Sequence, residues 1–160
     1  MDSKLIALKL VLDELDEEDK ISSVKDRVRI QKAIYLTQLL GVNLGYGYSW
    51  YIKGPYSTSL TQDYYQLDEE KRSGDFESAN VALNEAVKNK LQDVKAVLEK
   101  PDEIELDISG WYELLASIHF LVRRNGKPLD AAKSYLKTVK PHLHNYFDIG
   151  AAHLQKCALL

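Results

Sequence analysis

Few residues carry the chemistry for catalysis or metal binding, and their spacing limits what they could do. His142-Leu143-His144, with Asp148 and His153 downstream, is the densest set of potential zinc ligands. Zinc needs three or four ligands converging tetrahedrally, and its usual helical signature sets two histidines four residues apart beside a carboxylate. Here the His-x-His follows Pro141 at a predicted break between helices, and His153 lies a separate helical turn away. These read as loop and surface histidines, so no metal site is expected. His119 falls on the most apolar predicted helix and reads as a hydrogen-bonded core residue rather than a general base.

Nucleophiles fare no better. Cys157, the one cysteine, sits near the end of the sequence on an apolar-looking helix, where fraying preorganises a Cys-His pair poorly. Ser57, Thr58 and Ser59 read as cap and first-turn residues of a helix. The sequence holds no Gly-x-Ser-x-Gly, no phosphate-cradling glycine loop and no dinucleotide fingerprint after a strand. No catalytic residue and no cofactor is expected, and the chain does not read as an enzyme.

Recognition chemistry is better represented. Residues 46–60 hold four tyrosines, a tryptophan and two glycines besides Pro55 and three hydroxyl residues that follow it. If Tyr48 and Trp50 point inward, Ser49 and Tyr51 point outward, because strand side chains alternate. Exposed tyrosine is a common interface anchor, so Tyr46, Tyr51, Lys53 and Tyr56 are the expected partner contacts. The basic run Lys25, Arg27, Arg29 and Lys32, interrupted by Asp26, precedes this segment. Arg29 and Lys32 are expected to extend the same surface, or, as the disfavoured alternative, to grip nucleic acid beside a winged-helix-like strand.

The elements that would position these groups are mostly helical. Ser3 can cap a helix carrying Leu5, Ile6, Leu8, Leu12 and Leu15, and the run Asp16 to Asp19 reads as its solvated end. A second helix is predicted over 24–40 with Gly41 as its stop, then a short strand over 46–52 ended by a Gly54-Pro55 turn. Helix resumes over 57–67, followed by an expected loop over 68–78 with a short strand around Phe76. Further helices are predicted over 84–99, over 108–124 as the organiser of the core, after Pro128, and from about residue 146 onward.

The 160 residues suffice for one domain with a real core, and no repeat or low-complexity tract divides them. A net charge of -3 provides no global positive field for a phosphate backbone. The first twelve residues lack a signal-peptide pattern, no apolar run approaches a membrane span, and one cysteine suits a reducing compartment. A cytoplasmic protein with no membrane partner is expected. Its fold class is mainly α, a compact helical domain over 1–160 with a small winged-helix-like β element.

Two stretches carry a family resemblance: Arg29-Ile-Gln-Lys-Ala-Ile-Tyr-Leu-Thr-Gln, and Gly45-Tyr-Gly-Tyr-Ser-Trp-Tyr-Ile-Lys-Gly-Pro-Tyr-Ser-Thr-Ser-Leu. A QK-x-x-Y-L helix followed by an aromatic strand and a GPYS turn resembles the YwgA-like family and, more distantly, the Panacea or SocA-like antitoxin domain. Trp111-Tyr-Glu-Leu-Leu-Ala-Ser-Ile-His-Phe-Leu and Lys140-Pro141 also resemble the YwgA-like pattern, whereas Tyr56 departs from the Panacea form. The resemblance implies a prokaryotic or phage-associated protein with a winged-helix-like portion. It implies action by binding another protein, whether a toxin, an effector or a complex subunit, with no residue of its own in a chemical role.

Overall fold

The computed structural model describes residues 2–76 and 81–160. Among these residues, eight α-helices and one two-stranded antiparallel sheet make the chain mainly helical with a small β element, as the sequence predicts. Among the described residues, no helix is long and apolar enough to cross a membrane.

Helix α1 spans Ser3–Glu14 and buries Leu5, Leu8, Val11 and Leu12. Its cap is Asp2 rather than Ser3: the Asp2 carboxylate accepts from the Lys4 N–H at 2.9 Å, and Ser3 is already helical. Helix α2, Val24–Leu39, begins in a capping box in which Ser23 and Asp26 satisfy each other's backbone N–H groups. Asp26 interrupts the basic run because it is needed there as a cap. Along α2, Ile30, Ala33, Ile34, Tyr35 and Leu36 are buried almost completely.

Strands β1 (Ser49–Tyr51) and β2 (Gly54–Tyr56) form a hairpin in which Trp50 pairs with Pro55 and Tyr51 with Gly54. The turn therefore consists of Ile52 and Lys53, not Gly54-Pro55. Gly54 has φ +91°, and Pro55 costs little as a lost donor in a sheet of two edge strands. Helix α3 spans Thr58–Ser73 and runs six residues past its expected end. The polar stretch after Leu67 is a solvated helical face, closed by Gly74 at φ +78° with the Asp75 and Phe76 N–H groups both on the Glu70 carbonyl. Phe76 packs on the core without forming a strand, and the remainder of the expected loop at 77 and 78 lies outside the described residues.

Helix α4, Glu85–Leu98, is capped by Asn84, and α5, Ile108–His119, by Asp107. Helix α5 passes into a π-helical turn, Phe120–Arg124, so the predicted single helix changes pitch at His119. Everything from Trp111 to Leu121 is buried, which makes α5 the centre of the core. Helices α6 (Leu129–Val139), α7 (Pro141–His144) and α8 (Phe147–Lys156) follow. Gly150 on α8 lets that helix approach α5 closely, since a Cβ there would meet Ile118 and Leu114 side chains at 2.9 and 3.0 Å.

The acidic run after α1 is an anchor rather than a solvated end. Glu17 accepts from Arg29 of α2 and from the Tyr112 hydroxyl of α5, while Asp19 pairs with Lys9 at 3.1 Å and Lys71 at 2.5 Å. Charges that looked solvated in one dimension tie α1, α2, α3 and α5 together.

Candidate functional site

The aromatic segment is held against α2 by two glutamines seven residues apart, and so on one helical face. Gln31 donates from Nε2 to the Ser57 carbonyl and to Thr61 Oγ1, both at 2.9 Å, and accepts the Ser57 N–H at Oε1. Gln38 donates to the Tyr46 carbonyl at 2.9 Å and accepts the N–H groups of Leu44 and Tyr46. Between them the Tyr48 hydroxyl donates to the Gln31 carbonyl at 2.8 Å. Extended backbone beside a helix needs such partners because its own donors and acceptors have no ladder.

A groove of about 320 Å³ opens where α2, the hairpin and the start of α3 meet. Helix α2 contributes Val24, Arg27, Val28, Gln31 and Lys32, one stripe at three- and four-residue spacing. Tyr51, Ile52, Lys53 and Tyr56 come from the hairpin, with the Tyr51 and Tyr56 rings stacked at 5.2 Å. Thr61, Tyr64 and Tyr65 of α3 close the far wall. Among the described residues, four tyrosines and three cations line the groove without one carboxylate. A second hollow of about 340 Å³ shares Val24, Val28 and Lys53 and adds Asp107, Glu113 and His142.

Behind the hairpin lies a buried polar cluster. Lys140, 1% exposed, donates to the Ile52 carbonyl at 2.6 Å and pairs with Glu113 at 3.1 Å. Lys32 is 0% exposed, and its Nζ has no hydrogen-bond partner; Ser117 Oγ, also buried, has none either. Burial pushes the Lys32 ammonium down to about 7, Glu113 works against that, and Lys140 and Lys53 add to it. Gly54 sits directly over the cluster: a Cβ there would lie 2.6 Å from Ser117 Oγ and 3.7 Å from Lys32 Cε.

The six expected contact residues divide into two sets. Tyr51 and Lys53 are exposed and Tyr56 is half-buried, its hydroxyl 2.5 Å from Thr61 Oγ1, and all three border the groove. Tyr46 is instead buried: its hydroxyl donates to Asp63 at 2.7 Å and Lys4 lies over its ring. It shares the parity of Tyr48 and Trp50, so alternation already pointed it inward. Arg29 is tied to Glu17 and the Glu18 carbonyl, so it offers no free surface. Lys32 lies at the groove floor rather than on its outer surface.

The remaining basic residues of α2 are similarly engaged. Lys25 pairs with Asp107 at 2.7 Å, and Arg27 donates to the Ile21 carbonyl at 2.9 Å. No continuous free basic stripe is left along this helix.

The histidines are not loop residues. His142 and His144 belong to α7 and His153 to α8. His153 Nε2 lies 2.8 Å from the Val97 carbonyl, which requires the proton on that nitrogen, so it cannot accept from the Cys157 thiol 3.8 Å away. Burial raises the Cys157 thiol as well. His119 is buried with Nδ1 2.7 Å from the Tyr35 hydroxyl, and burial, then Arg123 and Arg124, push it down to about 4. Among the described residues, no group of three or more His, Cys, Asp or Glu side chains is placed to hold a metal ion.

The sequence reading passed over Gln31, Gln38, Glu113 and Lys140. The two glutamines carried a usable sign, being polar residues on the apolar face of a helix, where a side chain needs a specific partner. Lys140 registered only in the Lys140-Pro141 pair that resembles the YwgA-like pattern. Compared with protein-family models, with curated proteins and with solved structures, the chain matches none.

Proposed function

We propose that this chain is a small, cytoplasmic protein-binding module, antitoxin-like or phage-defence-associated, that regulates a toxin, effector or complex subunit and has no catalysis of its own. One observation carries the reading: Tyr51 and Ile52 stand 58% and 78% exposed at the tip of a pinned hairpin, beside a groove walled by tyrosines. Large apolar side chains exposed on a hairpin whose backbone is already anchored cost little further backbone ordering on docking, which is a property of an interface anchor. The resemblance of the Gln31-Lys32 helix and the Gly54-Pro55-Tyr56-Ser57 segment to the YwgA-like pattern supports the same role. The nucleic-acid alternative has less support, because Lys25, Arg27 and Arg29 are engaged within the chain and leave no continuous basic stripe along α2.

The test is capture from the cells that make the protein. Wild type should retain a partner that Tyr51→Ala and Ile52→Asp both lose while keeping the wild-type melting temperature. An unchanged partner set in both variants would overturn the assignment.

A further inference from the structure

The chain carries a net charge of -3, yet among the described residues the groove beneath the hairpin is lined by Arg27, Lys32 and Lys53 and by no acid. A local sign opposite to the global one is a property of the site rather than of the composition. Within it Lys32 is anomalous. An ammonium removed from water costs several kcal/mol unless a partner is supplied, and Lys32 Nζ has none. Glu113, the one carboxylate in the cluster, is already engaged by Lys140 at 3.1 Å and faces His142 at 3.6 Å. Lys140 thus has a carboxylate partner in the cluster, and Lys32 has none among the described residues.

The walls define what accompanies that anion. Val24, Val28 and the stacked Tyr51 and Tyr56 rings present apolar surface, and about 320 Å³ is the low end of ligand-sized pockets, room for a side chain rather than a helix. A phosphate would favour a free guanidinium fork, but Arg27 is bonded to the Ile21 carbonyl. A carboxylate suits lysines, whose flexible stems let the ammonium turn toward an incoming charge.

We propose that the groove binds an extended acidic segment of the partner protein, in which an apolar side chain fills the tyrosine-walled space and a neighbouring carboxylate pairs with Lys32. The inference rests on the protein-binding reading and names the chemistry of the partner. The groups facing Lys32 are Glu113 from α5, Lys140 from the α6–α7 junction and Lys53 from the hairpin turn. Since burial holds the Lys32 ammonium at about 7, pairing with a carboxylate raises it, and binding above that pH takes up a proton. Affinity therefore falls as pH rises from about 7 to 9.

The test uses the full chain and peptides with a central Phe, Leu or Ser flanked by Glu, Gln, Lys or phosphoserine. Glu-flanked Phe and Leu peptides should bind about tenfold more tightly than their Gln-flanked forms, an expected 1.4 kcal/mol. Lys53→Glu should reverse that preference. Calorimetry at pH 8 in Tris and in HEPES should show net proton uptake, abolished in Lys32→Met. Equal binding of Gln- or Lys-flanked peptides, exclusive binding of phosphoserine peptides, or proton uptake that survives in Lys32→Met would overturn the proposal. So would the absence of any peptide binding; a partner still lost from Ile52→Asp would then leave the protein-binding reading standing, whereas a partner set unchanged in that variant would remove both.

Discussion

Gln31 and Ser57 exchange two hydrogen bonds, the Ser57 N–H to Gln31 Oε1 and Gln31 Nε2 to the Ser57 carbonyl, each 2.9 Å long. A side-chain amide thus replaces a neighbouring strand at the point where the hairpin becomes α3. Both residues are buried, at 1% and 0% exposure, so neither bond can be exchanged for water.

Gln31→Ala should accordingly leave the Ser57 N–H buried and unpaired, a loss of about 1–3 kcal/mol, while the Ser57 carbonyl keeps the Thr61 N–H and hydroxyl. Urea denaturation checks this. Gln31→Glu keeps the acceptor but sets a buried carboxylate against the Ser57 carbonyl, so its loss should grow as pH rises and the carboxyl ionises.

Lys32→Met keeps the stem and removes the unpaired amine, so it should stabilise the free protein by about 1–3 kcal/mol at pH 7. The folded-state value for Lys32, about 7, lies below the ordinary 10.5. Between those two pH values the unfolded chain holds more protons, so wild-type stability rises with pH across that window. The stabilisation in Lys32→Met is therefore largest below pH 7 and shrinks toward pH 10, which melting curves at several pH values will measure.

Lys140→Met should be severe, because it strands the buried Glu113 carboxylate and the Ile52 carbonyl together. Breaking one side of a buried pair costs about 3–5 kcal/mol. The double variant Lys140→Met/Glu113→Gln should recover part of that loss, since the uncompensated charge is gone; full additivity in the double cycle would contradict the pairing.

Gly54→Ala combines two penalties, a left-handed backbone at φ +91° and a Cβ 2.6 Å from Ser117 Oγ. We expect a loss of about 2–4 kcal/mol. Ser117→Ala alone should be neutral or slightly stabilising, as its hydroxyl is buried without a partner, and it should relieve the contact part of the Gly54→Ala penalty. The backbone part should remain.

Helices were legible wherever an apolar stripe and a cap coincided, as in α2 with Gly41 and in α4 with Asn84 and Pro101. They were misread where polarity stood in for irregularity: the six residues after Leu67 are helical because solvated side chains do not oppose helix, and only Gly74 ends it. The hairpin turn was misplaced because Gly-Pro is a strong turn dipeptide, whereas here Gly54 closes the hairpin on the second strand, where both its left-handed backbone and its close approach to α5 require glycine. At the site, Tyr51, Lys53 and Tyr56 could be read from alternation and composition. Lys32 and Arg29 could not be placed, since their surroundings come from Glu17, Glu113 and Ser117, residues distant along the chain.

The hydrogen bond from Lys140 to the Ile52 carbonyl spans 88 residues. Local sequence alone does not hold this turn; the hairpin tip takes its shape only once the chain beyond α6 has been made and packed. A nascent chain that has not yet reached Lys140 lacks that anchor, and its Tyr51 and Ile52 remain on a loose ribbon. The shape of the exposed hairpin tip is thereby tied to completion of the fold, because its anchor is made 88 residues after the turn it holds.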